Sequence, residues 1–232
     1  MTNQNKRAIP GCKAMSKHGF WNLIAEVKAA CGQEQDKYMD MLKNRLKEMG
    51  PDHAQDFHDI VHAYEKLAYK YGLWSAAELM GYISDDGFMD FRAWLISQGR
   101  EAYFAALKDP DTLAGLDHGN NHQFESFTFA GYFALEELTN ENAYENSDEA
   151  AFGKIVEALK LDIEYAGCIN YPFEPSETAD YFPRLYQKHM AVSEPLRSAC
   201  EIFWNQNNKL IAKARRAGLP PKPQNNMEMG GM

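Results

Sequence analysis

The sequence predicts an all-α protein, a compact multi-helix domain followed by a helical C-terminal extension. Apolar residues recur at intervals of three and four along most of the chain, as on the buried face of an amphipathic helix. Glycine and proline stand where these patterns stop, at positions typical of helix ends. No stretch of useful length alternates between apolar and polar residues, so strands are not expected.

In the first third of the chain, the pattern predicts three long helices and a short one. The first begins near His18 and stops at Gly32, and the second ends at Gly50-Pro51. Pro51 suits the first turn of the third helix, which is expected to reach Gly72. The apolar run LWSAAELMGYI then predicts a short helix.

Further helices are predicted after residue 84. Phe88, Phe91 and Trp94 share one helical face, and EAYFAALK is a helix that stops where Asp109 can cap the next turn. The run QFESFTFAGYFALEELT is helical by length, although its aromatic content leaves a strand open. Residues 167–183 contain three prolines and are expected to be mostly extended, and residues 194–217 predict a last long helix.

These patterns predict four segments. Residues 1–16 form a flexible N-terminal lead, 17–144 a helical core domain, 145–217 an acidic helical extension, and 218–232 a disordered tail.

Charge is distributed unevenly around a net value of −9, which argues against nucleic-acid binding by the whole surface. Residues 136–180 hold twelve acids and only two lysines, whereas residues 209–222 hold five bases and no acid. The simpler interpretation of the acidic run is a solvated face. The functional interpretation is a surface that docks a basic protein or peptide.

The cysteines and the apolar runs predict a cytoplasmic protein without a membrane anchor. Cys12, Cys31, Cys168 and Cys200 form no CxxC pair, which favours free thiols in a reducing compartment. The N-terminus carries no apolar signal region, and the most apolar run, residues 127–135, is too short to span a bilayer.

Four histidines are the candidate metal ligands. His58 and His62 are four residues apart on a predicted helix, a spacing that places both imidazoles on one face. His118 and His122 share a polar loop. The simpler interpretation is a pair of helix-surface histidines and a surface loop, since no third ligand is evident. No cofactor is predicted, and a divalent metal is the one left open.

The segment SDDGFMDFRAWLISQGRE is the strongest candidate for a ligand site. Ser84 or Asp85 can cap the helix, which explains one acid but not the second at Asp86. Arg92 and Arg100 can pair with carboxylates or hold an anion through two hydrogen bonds.

Together with GFWNLI, YGLWSAAELM, DPDTLA and FESFTFAGYFALEEL, this segment resembles domain-of-unknown-function family 4240 over roughly residues 19–144. The resemblance implies a bacterial, cytoplasmic helical domain and supplies no reaction. It also implies a shared signature, whose polar members are Asp85, Asp86, Arg92, Arg100 and Glu125. We predict that these five residues bind a ligand.

Three functional hypotheses remain at this point. The absence of any catalytic or nucleotide-binding motif favours a non-enzymatic binding, regulatory or accessory module that recognises a protein, a peptide or a small polar ligand. The alternative is a metal-dependent, hydrolytic enzyme with a carboxylate and histidine site. The weaker alternative is nucleic-acid binding through the basic residues 209–222.

Overall fold

The computed structural model describes residues 7–81, 84–117, 122–167 and 175–190, and within these ranges the chain is helical without strands. The predicted all-α fold class is therefore confirmed. Twelve α-helices and one 3₁₀ helix span the described residues: α1 Lys17–Cys31, α2 Gln35–Met49, α3 Pro51–Leu67, α4 Tyr71–Met80, α5 Asp85–Ser97, α6 Arg100–Lys108, the 3₁₀ helix Pro110–Gly115, α7 Glu125–Thr128, α8 Ala130–Thr139, α9 Ala143–Asn146, α10 Glu149–Lys160, α11 Pro175–Tyr181 and α12 Pro183–Met190.

Most helix ends lie where the sequence signals place them. Ser16 caps α1 by accepting a hydrogen bond from the Gly19 N–H, and Gly32 ends the helix at a φ of 60°. The predicted end of α3 at Gly72 is wrong. The helix ends at Leu67, and Gly72 lies inside α4 because the backbone becomes extended at Lys70, the residue that precedes α4.

Two units make up the fold. The first contains the described residues of Met1–Leu67, Met89–Tyr103 and His118–Ile163, and the second those of Ala68–Phe88, Phe104–Asp117 and Glu164–Met232. The division therefore falls within α5 and α6. It separates the predicted helical core, residues 17–144, into parts of both units.

In the first unit, α3 packs against α8 and α10, and α2 packs against α1, α3 and α8. Aromatic rings fill the interior: Trp21 donates a hydrogen bond from Nε1 to the Tyr64 hydroxyl, and the Tyr103 hydroxyl donates to the Tyr64 carbonyl at 2.7 Å. The polar end of each ring thus has a partner while its apolar surface is buried.

Gly131 lets α8 approach α3 closely. A Cβ atom at this position would lie 2.7 Å from both the Ala54 carbonyl oxygen and the His58 backbone nitrogen, so a larger residue would force the two backbones apart. The close contact at Gly131 brings α8 against the middle of α3.

The segment QFESFTFAGYFALEELT, for which the sequence left a strand open, is helical and forms α7 and α8.

Asp56 of α3 holds the chain that precedes α1. Its carboxylate is 2% exposed and accepts hydrogen bonds from the backbone N–H groups of Lys13, Ala14 and Met15 at 2.6–3.0 Å. Ile9 and Met15 are buried beside it, within the predicted N-terminal lead. A buried charge with several donors is stabilised in place.

In the second unit, the Asp111 carboxylate holds the first turn of α12 in a comparable way. Asp111 is 4% exposed and accepts hydrogen bonds from the backbone N–H groups of Arg184 and Leu185, and from the Arg184 side chain at 2.8 Å. The negative charge lies at the N-terminus of α12, where the helix dipole favours it. Asp109 caps the 3₁₀ helix, as its sequence position predicts.

Several predicted features lie outside the described residues: His118, Cys200, the long helix of residues 194–217, the basic residues 209–222 and the tail of residues 218–232. Among the helices that the structure does describe, none is long and apolar enough to cross a membrane.

Candidate functional site

Two of the five predicted ligand-binding residues lie in the second unit. Asp85 and Asp86 are exposed in the first turn of α5, and the Tyr69 hydroxyl donates a hydrogen bond to Asp85 at 3.4 Å. The Ser84 hydroxyl oxygen accepts from the Gly87 N–H at 3.1 Å, so the serine is the cap. Both acids therefore complement the helix dipole, and neither is needed as the cap.

The other three predicted residues lie in the first unit. Arg92 is 9% exposed and donates a hydrogen bond to the Glu65 carbonyl at 2.8 Å. Arg100 begins α6 and Glu125 begins α7, and both are exposed. That the five residues bind one ligand stays a prediction.

Arg100 lines a cleft of about 900 Å³ in the first unit. The cleft is bordered by α1, by the α5–α6 junction and by Asp162, which accepts a hydrogen bond from Lys17 at 2.5 Å. Lys28 donates to the Gln98 carbonyl, and burial lowers the pKa of its ammonium group. The wall thus carries charges of both signs.

One histidine of the α3 pair lies in a different environment from the predicted helix surface. His58 and His62 do share one face, with ring centroids 4.4 Å apart, but His58 is only 1% exposed. His58 is therefore part of the interior, whereas the His62 side chain is 25% exposed at its edge. His122 lies elsewhere, near the rings of Phe91 and Trp94.

A chain of hydrogen bonds fixes the orientation of His62. The Thr128 hydroxyl of α7 donates to Glu65 Oε1 at 2.6 Å, and Glu65 Oε2 lies 3.2 Å from His62 Nδ1. A carboxylate beside Nδ1 favours the tautomer with its proton there, so Nε2 carries a lone pair. Within the described part of the chain, this Nε2 is buried without a hydrogen-bond partner.

His58 is also left without a partner at one nitrogen. Its Nδ1 is buried, and no described group hydrogen-bonds to it. Burial, and secondarily the charge of His62, lowers the pKa of His58 to about 3, so its imidazole is neutral near pH 7. Two imidazole rings thus lie side by side, each with a buried nitrogen that has no described partner.

Polar contacts fasten α9 over this part of α3. The Gln55 side chain donates to the Ala143 carbonyl at 3.0 Å, and the Ser147 hydroxyl donates to Asp59 while its oxygen lies 3.0 Å from the Ala143 carbonyl. Burial raises the pKa of Asp59, although hydrogen bonds from Ser147 and Gln55 oppose that shift. These contacts place Tyr144 of α9 directly over the imidazole rings.

Tyr144 is the centre of an exposed aromatic group. Its ring lies 4.5 Å from His58, 5.4 Å from His62 and 5.9 Å from Tyr132 of α8, measured between centroids. Phe133 lies beside Tyr132 at 5.4 Å. We call Tyr132, Phe133 and Tyr144 the Tyr144 surface. Sequence reasoning missed it, although Tyr144 stands in the acid-rich run of residues 136–180 and Tyr132 and Phe133 shortly precede that run.

Acids surround the Tyr144 surface. Glu136 accepts a hydrogen bond from the Tyr132 hydroxyl at 2.9 Å, and Glu141 and Glu145 are exposed nearby in the chain. The bond to Glu136, with burial and the charges of Glu136 and Glu145, raises the pKa of Tyr132. Negative potential is therefore present at the aromatic rings.

Among the described residues, carboxylates, thiols and imidazoles do not gather into a metal site of three or more protein ligands. Across the described residues, no group of three or more His, Cys, Asp or Glu side chains is arranged to hold a metal ion. The geometry thus gives no support to a site built from Asp85, Asp86, Glu125 and the histidines.

Comparison with known proteins places the chain in a family. The model of the family described as "Protein of unknown function (DUF4240)" matches residues 15–146, more than half of the chain, including α3, α8 and the Tyr144 surface. Neither the curated proteins nor the solved structures gave a significant match. The resemblance in the sequence motifs is thus confirmed, and the chain belongs to the family described as protein of unknown function (DUF4240).

Proposed function

We propose that this protein is a binding module that docks a basic segment of another protein on the Tyr144 surface. The observation that carries the proposal is a group of exposed aromatic side chains beside carboxylates that no described base neutralises. Phe133 is 39% exposed and Tyr144 is 48% exposed. Adjacent exposed aromatics are typical of protein–protein contacts.

The acids beside these rings differ from their neighbour in the same run. Glu137 is held by Lys43 and Lys47, each at 2.7 Å, and these ion pairs lower its pKa. In the described residues, no lysine or arginine pairs with Glu136 or Glu145. The unpaired charges are therefore available to a cationic partner.

An arginine-rich segment suits this combination. A guanidinium group can stack on a tyrosine face and donate hydrogen bonds to a carboxylate at the same time. Such contacts contribute specificity and speed of association, and salt screens them.

The proposal is tested with a short fluorescent peptide rich in arginine and its analogue in which citrulline replaces every arginine. We expect fluorescence anisotropy to report saturable binding of the arginine peptide that weakens as salt is added. The citrulline peptide keeps the shape and loses the charge, so it should not bind. Equal binding of both peptides would contradict the proposal.

Matched variants locate the binding site. We expect Tyr144→Ala and Glu145→Lys each to weaken binding about tenfold, a change of about 1.4 kcal/mol. Glu101→Lys makes the same charge change at an exposed acid of α6 outside the Tyr144 surface. Its affinity should stay near that of the wild type, and an equal loss in all three variants would point to net charge alone.

The cleft of the first unit favours a second candidate, recognition of a small polar ligand. Its volume of about 900 Å³ is within the range of ligand pockets, and Lys17, Lys28 and Arg100 supply donors. Thermal unfolding in the presence of citrate, phosphate or glutamate tests this candidate. A ligand-induced rise in the unfolding temperature should disappear in Arg100→Gln, and no rise with any of the three would count against it.

A further inference from the structure

The two adjacent imidazoles of α3, one buried and one partly exposed, carry an inference that is independent of peptide docking. We infer that His58 and His62 bind one divalent late transition-metal ion, such as Zn²⁺ or Cu²⁺, between their rings. The two histidines are four residues apart on a helix, and their ring centroids lie 4.4 Å apart. Two imidazoles at this helical spacing can both bind one ion.

The surroundings of His62 match those of a metal-binding histidine. Metal-bound histidines commonly donate their second N–H to a carboxylate, which fixes the ring and makes the other nitrogen more basic. Glu65 takes this position at His62 Nδ1, and Thr128 in turn holds Glu65. Both supporting groups are buried, so the orientation of the ring is preset before any ion arrives.

The two nitrogens that would bind the ion make no hydrogen bond to any described group. His62 Nε2 and His58 Nδ1 are both shielded from solvent and lack a hydrogen-bond partner among the described residues. Leaving buried polar atoms unpaired is unfavourable, and most such atoms in folded proteins find a partner. A metal ion would satisfy both at once.

The donor set decides which ion fits. Neutral imidazoles suit Zn²⁺, Cu²⁺ and Ni²⁺, whereas Mg²⁺ and Ca²⁺ prefer oxygen ligands. The protein supplies two nitrogen ligands, so water completes the coordination. Tyr144 covers the rings and is half exposed on the four-residue helix α9. An ion would therefore reach the imidazoles from solvent by displacing the Tyr144 side chain.

Calorimetric titration of tag-free protein with Zn²⁺ tests the inference. We expect one ion per chain, and at least about tenfold weaker binding in His58→Phe and in His62→Phe. His53→Phe is the matched control, because His53 is on the same helix outside the pair and its loss should leave the affinity unchanged. Glu65→Gln should weaken binding about tenfold while both ligands remain.

A spectroscopic readout covers the case in which a phenylalanine variant fails to fold. Electron paramagnetic resonance of the Cu²⁺-loaded wild type should show coupling to two imidazole nitrogens. The inference is overturned if no saturable site is found for either ion, or if His58→Phe and His62→Phe both fold and retain the wild-type affinity.

Discussion

Asp56 and His58 lie two residues apart on α3, both almost fully buried, and differ in what surrounds them. Asp56 accepts three backbone hydrogen bonds and fastens the chain before α1. His58 has a buried nitrogen without a described partner, and so does His62 one turn further on. Burial of a polar residue therefore does not by itself indicate function, and the number of its partners separates a structural anchor from a candidate site.

The largest effect is expected at the anchor. Asp56→Ala would leave three backbone N–H groups without their acceptor, and we expect the free energy of unfolding to fall by about 3–5 kcal/mol. Asp52→Ala is the control, because Asp52 forms an exposed ion pair with Lys13 and should contribute less than about 1 kcal/mol. Urea unfolding measures both. A loss below about 1 kcal/mol in Asp56→Ala would remove the contrast with His58.

A smaller effect follows from pH at His58. Burial lowers the pKa of His58 from 6.5 to about 3. Between these two pH values, the imidazole binds a proton in the unfolded chain but not in the folded protein. Stability from this group is complete above about pH 6.5 and is lost progressively as pH falls toward about 3. Between about pH 7 and pH 4 the loss is about 3 kcal/mol.

His58→Leu isolates that contribution from the other titrating groups. We expect the variant to lose less stability on acidification than the wild type, with the difference measured by urea unfolding at each pH. Identical pH profiles of the two proteins would mean that His58 is not held neutral by burial.

The smallest effect separates capping from first-turn charge in α5. Ser84→Ala removes an observed cap and should lower the free energy of unfolding by about 1 kcal/mol. Asp86→Asn removes only an exposed charge near the helix N-terminus and should lower it by less than about 0.5 kcal/mol. If thermal unfolding shows the opposite order, Asp86 has a role that the helix dipole does not explain.

The sequence predicts the positions and buried faces of most helices well. The predicted face of Phe88, Phe91 and Trp94 in α5 is buried. These predictions succeed because the period of a helix is a local property of the chain. The end of α3 was misplaced because Gly72 is compatible with the interior of α4.

The candidate site was only partly predictable, because its members come from distant parts of the chain. The spacing of His58 and His62 predicts that they share a face. The burial of His58 and the hydrogen bond from Thr128 to Glu65 arise only when α7 and α8 pack on α3. Tyr144 reaches the pair through α9. Likewise, the partners of Asp56 are backbone N–H groups, which leave no signature in a sequence.

The central claim, that the paired imidazoles of α3 serve binding and not stability, is tested most directly by a His58→Leu, His62→Leu double variant. Its unfolding free energy would be compared with that of the wild type at about pH 7, with and without Zn²⁺. We expect the metal-free double variant to stay within about 2 kcal/mol of the wild type, because the removal of two unsatisfied polar atoms offsets the loss of the His62 contact to Glu65, and Zn²⁺ to stabilise the wild type alone. A double variant that loses more than about 2 kcal/mol, together with a wild type that does not respond to Zn²⁺, would contradict the claim.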